Sequence, residues 1–256
     1  MSLSRARIQM HIVPNNSSSS PLRDFLIPLC TVTQPTRRRF LSTTQKSNAT
    51  VSTASLSSPA ENPRRKPLTK EQREFLSSAL RVNQAGELAA TLIYTAQTPP
   101  LINAHPHLRP LMAHMYAQEE GHFDTFNSLI AKHRVRPTAL YPVWSILATG
   151  LGWSTAVMGR EAAMACTEAV ETEIGGHYNN QIRTLLEMFD QWEAEGYEVG
   201  EELQNLVKTL RRIRDEELEH LDHAVDNDAK KAEPHWLLTG VIRLGCRGAI
   251  WVSERV

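Results

Sequence analysis

A chain of 256 residues with 41% apolar content is long enough to bury one substantial core. Its 28 basic side chains balance its 28 acidic ones, which removes the basic signature of a nucleic-acid binder. Three widely spaced cysteines, Cys30, Cys166 and Cys246, exclude a disulfide framework and a cysteine-rich zinc site.

The charge is unevenly placed along the chain. Residues 1–60 carry Arg5, Arg7, Arg23, Arg37, Arg38, Arg39 and Lys46 against the single acid Asp24, among many Ser and Thr. That is the composition of a mitochondrial transit peptide, expected over residues 1–40, with a Ser/Thr/Pro-rich disordered linker over 41–67; a tail with no address is the alternative. The folded domain is expected over 68–256. From Thr69 onward, long helical patterns alternate with short breaks, and no β-type alternation bounded by turns appears.

The pattern predicts six helices. Thr69 and Gln72 form a capping-box signature, and the first helix should run to about Gln97 and stop at Pro99-Pro100. The second spans about His107 to His133, and the third about Leu140 to Gly159. The stretch Thr138–Gly159 is uncharged and nominally long enough to cross a bilayer, but Pro142 and its Gly, Ser and Thr residues leave a buried core helix and a membrane-touching interfacial helix as the two readings. A fourth helix, about Glu161 to Phe189, contains Gly175-Gly176, a pair that marks a bend or a close approach. After an acidic break at 191–200, a fifth covers about Glu201 to Asp228. A sixth, about His235 to Ser253, has Arg243 and Arg247 on one stripe and Trp236, Val241, Leu244 and Trp251 elsewhere, the pattern of an amphipathic surface or interfacial helix.

Chemistry enters with a repeated motif. Glu119 and His122 on the second helix, and Glu217 and His220 on the fifth, are Glu-x-x-His pairs, and residues three apart share a helical face. Either pair alone is common on a solvated helix. Each, however, follows a helix with a glutamate among small or apolar neighbours: Glu87 after Ala85-Gly86, and Glu171 after Ala169-Val170. The order Glu, Glu-x-x-His, twice over, is the ligand set of a ferritin-like four-helix bundle with a dinuclear site, here with two additional apolar or amphipathic helices. Four carboxylates balance two divalent cations, and two neutral imidazoles complete the set. Without cations, four converging buried carboxylates would carry a prohibitive desolvation cost unless several were protonated. The register has alternatives: Glu120 and Glu216 neighbour the motif glutamates, Glu219 with His223 makes an i,i+4 pair, and Glu168 or Glu173 stand near Glu171. Oxygen and imidazole ligation without thiolate suits iron or manganese.

With these residues in view, the chain resembles the demethoxyubiquinone hydroxylases, di-iron monooxygenases of ubiquinone biosynthesis. The resemblance covers nearly all of 70–256. It is carried by Arg81-Val82-Asn83-Gln84-Ala85-Gly86-Glu87, Gln118-Glu119-Glu120-Gly121-His122-Phe123, Arg134-Val135-Arg136-Pro137-Thr138, Glu161-Ala162-Ala163-Met164-Ala165-Cys166-Thr167, His177-Tyr178-Asn179-Asn180-Gln181-Ile182-Arg183, Arg214-Asp215-Glu216-Glu217-Leu218-Glu219-His220 and Ser253-Glu254-Arg255. The family's iron ligands fall on Glu87, Glu119, His122, Glu171, Glu217 and His220, the six chosen by spacing. Gln84 stands where the family often has His, and Thr172 where it often has Glu.

The resemblance implies two Fe ions per chain and hydroxylation, by dioxygen, of the ring of a 2-polyprenyl-3-methyl-6-methoxy-1,4-benzoquinol. It implies electrons from NADH, and no Gly-rich nucleotide fingerprint follows a strand in this chain. His177 and Tyr178, about two turns beyond Glu171, are candidates for electron or proton transfer, or simply an ordinary hydrogen-bonded pair. A polyprenyl tail needs an apolar path, for which the third and sixth helices are the natural walls. The implied setting is peripheral, on the matrix side of the mitochondrial inner membrane, in a biosynthetic complex with a lipid-binding partner protein. Ferritin-like iron oxidation and a non-catalytic quinone-binding scaffold are the competing functions.

Overall fold

The computed structural model describes residues 65–256, so the presequence and nearly all of the linker lie outside the described residues. Among the described residues all regular structure is helical: α1 (Lys70–Ala104), α2 (Arg109–His133), α3 (Tyr141–Met158), α4 (Arg160–Ala194), α5 (Glu201–Asp226) and α6 (His235–Ser253), with short 3-10 turns before α2 and α6. The Thr69 hydroxyl accepts from the Gln72 amide while the Gln72 side chain accepts from the Thr69 amide, so α1 opens on the capping box its sequence predicts.

The first helix corrects one expectation. It does not stop at Pro99-Pro100 but runs through both to Ala104. Each proline removes a backbone hydrogen bond and costs about 3 kcal/mol in a helix interior. Tertiary fixation offsets that cost. Buried Gln97, one turn earlier, donates to the Thr155 hydroxyl and the Ala163 carbonyl, and Leu101, just past the prolines, is packed in an apolar cluster with Leu108, Met112 and Met115. The fourth helix also outruns its expected end, reaching Ala194 because Leu185, Met188, Phe189 and Trp192 continue the buried stripe.

Helices α1, α2, α4 and α5 form the bundle, with α1 against α2 and α4 against α5; α3 lies along α1, and α6 along α4. Two apolar clusters fill the bundle, and a third, with Ile93, Ala148, Val170 and Ile242, joins α3 and α6 to α1 and α4. Of the first two, one gathers Phe126, Tyr178, Leu210 and Ile213, the other Tyr94, Met112, Met115 and Met164. Burying each such side chain contributes roughly 1.5–3 kcal/mol. The carboxylate-rich layer lies where these clusters meet, since Tyr94 belongs to one, Tyr178 to the other, and both hydrogen-bond to its glutamates.

The two added helices invert ordinary amphipathic packing. Helix α3 buries its small face, Ala148, Gly152, Thr155 and Ala156, and exposes Ile146, Leu147, Trp153, Val157 and Met158. It is therefore not a buried core helix, and no helix among the described residues is long and apolar enough to cross a membrane. Gly152 permits this arrangement, because a Cβ there would stand 2.5 Å from the carbonyl oxygen of Ile93 on α1. On α6, Arg243 and Arg247 turn toward α4 and bind Glu173, leaving Trp236, Val241, Leu244 and Trp251 outside. Of the glycine pair in α4, Gly175 faces Leu218 of α5 at contact distance and Gly176 faces open space; the helix continues through both.

Two glycine variants test this packing by chemical denaturation. Gly152→Ala forces α1 and α3 apart and should cost about 1–3 kcal/mol. Gly176→Ala, with nothing within 4 Å of the new methyl, should instead gain up to about 1 kcal/mol of helix propensity.

Candidate dinuclear metal centre

Each of the four bundle helices delivers what its spacing predicts. Glu87 from α1, Glu119 and His122 from α2, Glu171 from α4, and Glu217 and His220 from α5 are all buried, none more than 2% exposed. They form two sets of ligand atoms, each mutually within 4.8 Å: Glu87, Glu119, His122 and Glu217, and Glu119, Glu171, Glu217 and His220. Glu119 and Glu217 belong to both, so their carboxylates would be shared between two cations if both sets were filled.

The imidazoles face inward through Nδ1. His122 Nδ1 lies 3.0 Å from Glu217 Oε1, 3.5 Å from Glu87 Oε2 and 3.8 Å from Glu119 Oε2. His220 Nδ1 lies 3.0 Å from Glu119 Oε1 and 3.2 Å from Glu217 Oε2. Ligands about 2.0–2.2 Å from a shared metal are themselves roughly 3–3.5 Å apart, so these separations fit a metal shell. Both Nδ1 atoms, both Glu119 oxygens and Glu217 Oε2 are buried without a hydrogen-bond partner despite those short approaches. They converge as ligands do about a centre rather than aiming at one another. Buried polar atoms left unpaired are costly, so the donor set itself fits a cation.

Around this set the two halves exchange partners. His122 Nε2 meets Glu216 Oε2 at 2.6 Å, and Arg212 donates to that carboxylate; His220 Nε2 meets Gln118 Oε1 at 3.0 Å. The Tyr94 hydroxyl donates to Glu171 Oε1 at 3.1 Å, and the Tyr178 hydroxyl donates to Glu87 Oε1. Outer hydrogen bonds of this kind fix the tautomer and orientation of a ligating imidazole.

Burial drives the electrostatics. It pushes Glu171 well above the usual carboxylate range, helped by the charges of Glu217 and Glu119, and it raises Glu87. It also lifts the hydroxyls of Tyr94 and Tyr178 well above their ordinary value, and neighbouring glutamate charge adds to the effect. For His220 burial opposes the charged form, but Glu119 and Glu217 outweigh it and carry the imidazole up to about 10; the same balance raises His122 further. Against partial burial, His122 and Arg212 hold Glu216 below the usual range.

The alternative register residues do not join the set. Glu120 is exposed and Glu216 stands outside His122. Glu168 binds Lys230 and His235, while Glu173 binds Arg243 and Arg247. Glu219 and His223 form their own pair on the surface. Tyr94 was not singled out from sequence, although it lies seven residues after Glu87 just as Tyr178 lies seven after Glu171. Gln118, immediately before Glu119, carried no signal, and Glu216, immediately before Glu217, was legible only as an alternative ligand and not as the partner of His122.

His177 joins neither set. Its Nε2 lies 2.6 Å from Gln181 Nε2 and 3.2 Å from Asn83 Oδ1, and those two amides pair with each other at 2.9 Å. With Glu87, Tyr178 and Asn83 it lines the polar end of a cavity of about 330 Å³ between α1, α3, α4 and α6. The rest of that cavity is apolar, including Ile93, Trp144, Leu147, Val170 and Ile242. Its volume is that of a small-molecule site, roughly 300–1,000 Å³.

An all-helical bundle with six buried carboxylates and imidazoles in two overlapping sets, each able to hold a cation, fits the ferritin-like class. Residues 74–253 match the family described as Ubiquinone biosynthesis protein COQ7, and the chain belongs to that family. It is 45% identical over 199 residues, covering 77% of this chain and 85% of the relative, to the mitochondrial 5-demethoxyubiquinone hydroxylase of Saccharomyces cerevisiae. It is 42% identical over 184 residues, 72% of this chain and 79% of the relative, to the mitochondrial NADPH-dependent 3-demethoxyubiquinone 3-hydroxylase of Homo sapiens. The 3-demethoxyubiquinol 3-hydroxylase of Rhodospirillum rubrum is 42% identical over 177 residues, 69% of this chain and 76% of the relative.

The sign of one pH effect follows from His177. Burial lowers its pKa from 6.5 to about 4 in the folded chain, so between those values the unfolded chain binds more protons. Its contribution to stability is complete above pH 6.5 and is lost as pH falls toward and through 4. Denaturation midpoints of the wild type should therefore fall across that window more steeply than those of His177→Phe; parallel curves would contradict the assignment.

Proposed function

We propose that this hydroxylase of ubiquinone biosynthesis acts on the ring of a 2-polyprenyl-3-methyl-6-methoxy-1,4-benzoquinol, with two irons held by Glu87, Glu119, His122, Glu171, Glu217 and His220. The observation that carries the reading is the pair of residue sets sharing Glu119 and Glu217, one of which reaches an apolar cavity through Glu87. When bound, the two ferrous ions supply the electrons that reduce dioxygen. The chain's own side chains do the rest. The apolar wall of Ile93, Leu147, Val170 and Ile242 excludes water from the ring and its first isoprene units, and presents the ring to the polar end formed by Glu87, Tyr178 and His177. The Tyr178 hydroxyl, bonded to Glu87 and lining the same cavity, is placed to hold or pass a proton between substrate and that carboxylate. His177, held by Asn83 and Gln181, serves the same transfer path. A reduced nicotinamide, NADH, returns the two electrons of each cycle.

The long tail leaves through the cavity mouth between α3 and α6. Both helices present exposed Trp, Leu and Val, which suits docking on the matrix face of the mitochondrial inner membrane and on a lipid-binding partner protein of a biosynthetic complex. Residues 1–40 act as the transit peptide and 41–67 as a linker to the folded domain.

The deciding assay is conversion of a demethoxyquinone to its hydroxylated product with dioxygen and either NADH or NADPH, beside ferrous oxidation without quinone. Glu217→Ala should lose iron and turnover together. Tyr178→Phe should keep iron and lose turnover by about 10–100-fold. Leu147→Asp should keep iron but weaken lipid-tailed substrate. Rapid iron oxidation with mineral growth and no hydroxylated quinone would replace this reading with a ferroxidase. Separately, a tagged chain lacking residues 1 to about 60 should fold and bind metal yet stay out of mitochondria on imaging; undiminished import would refute the presequence.

A further inference from the structure

Outside the buried centre, a second group of metal-ligating side chains lies at the surface. His114 of α2 and Glu219 and His223 of α5 each offer a ligand atom, and these atoms all lie within 4.8 Å of one another. Glu219 and His223 are four apart on one helical ridge, with His223 Nε2 3.6 Å from Glu219 Oε1. His114 comes from the facing helix, its ring centroid 6.2 Å from that of His223 with the planes at 78°. The three belong to neither buried set, and among the described residues Glu219 has no Lys or Arg in its ion pair.

We propose that His114, Glu219 and His223 form a separate mononuclear site for a borderline divalent cation of the Zn²⁺ class, clamping α2 to α5. Two imidazoles and one carboxylate are the ligand types such ions prefer over Mg²⁺ or Ca²⁺, and three protein ligands leave a fourth position for water. Bonds of about 2.0–2.1 Å bring tetrahedral ligands to roughly 3.3 Å of one another, which these exposed side chains reach by small rotations. The i,i+4 pair supplies half of the site without further folding, while His114 makes it report on the α2–α5 crossing. Gln118, whose side-chain oxygen accepts from His220 Nε2, is one turn beyond His114 on the same face. A cation there would hold the crossing at which the bundle supports His220.

The probe is Zn²⁺ added to the full chain purified with iron present, followed by calorimetry with iron content measured before and after. Wild type should take up one Zn²⁺ equivalent that His223→Ala, His114→Ala and Glu219→Gln lose or bind at least about tenfold more weakly. Iron content should stay constant as that equivalent binds, and added Zn²⁺ should raise the melting temperature of the wild type but not of the variants. Three changes on two helices guard against one variant that fails to fold. Equal zinc uptake by wild type and all three variants, uptake matched by iron loss, or no uptake at all would overturn the proposal.

Discussion

Four carboxylates drawn into an apolar interior are the constraint on which the rest of the molecule depends. Glu87, Glu119, Glu171 and Glu217 are buried almost completely, and no Lys or Arg pairs with any of them among the described residues. Like charges so close and so dry are tolerated only with protons or cations between them. The imidazoles of His122 and His220 meet part of that demand, and the two overlapping sets that remain could each hold a cation. The scaffold is organised to withstand this strain: apolar clusters bracket the layer, and each of α1, α2, α4 and α5 is long enough to anchor in both.

The hydrogen bonds around the layer are reciprocal. The tyrosine seven residues past the α1 glutamate serves the α4 glutamate, and the tyrosine seven past the α4 glutamate serves the α1 glutamate. The residue before each motif glutamate supports the histidine of the opposite motif. Neither the α1–α2 hairpin nor the α4–α5 hairpin therefore satisfies its own polar groups. Each half depends on the other, which ties formation of the centre to closure of the whole bundle.

The helices and the six inward residues were legible because both obey one period. Glu-x-x-His at i,i+3 and an apolar stripe at 3.6 residues are local patterns, and they fixed Glu119 with His122 and Glu217 with His220 before any contact was known. What escaped the sequence depended on partners distant along the chain. Pro99 and Pro100 read as a stop because the bonds from Gln97 to α3 and α4 that hold the helix past them are tertiary. Tyr94 went unmarked, since its partner Glu171 is on another helix. Which way the arginine stripe of α6 faces could not be told from its period alone, because Glu173, its counter-charge, is some seventy residues earlier.

The symmetry of the centre is broken at one pair of atoms. Behind His122 stands the carboxylate of Glu216, itself neutralised by Arg212; behind His220 stands the amide of Gln118. An anion draws the outer imidazole proton toward itself and makes the inner nitrogen a stronger electron donor, whereas an amide oxygen does so more weakly. Two positions that look equivalent in ligand type are thus unequal in donor strength. A protein built from two similar halves acquires, through one oxygen-for-nitrogen difference between Glu216 and Gln118, a polarity running across its centre.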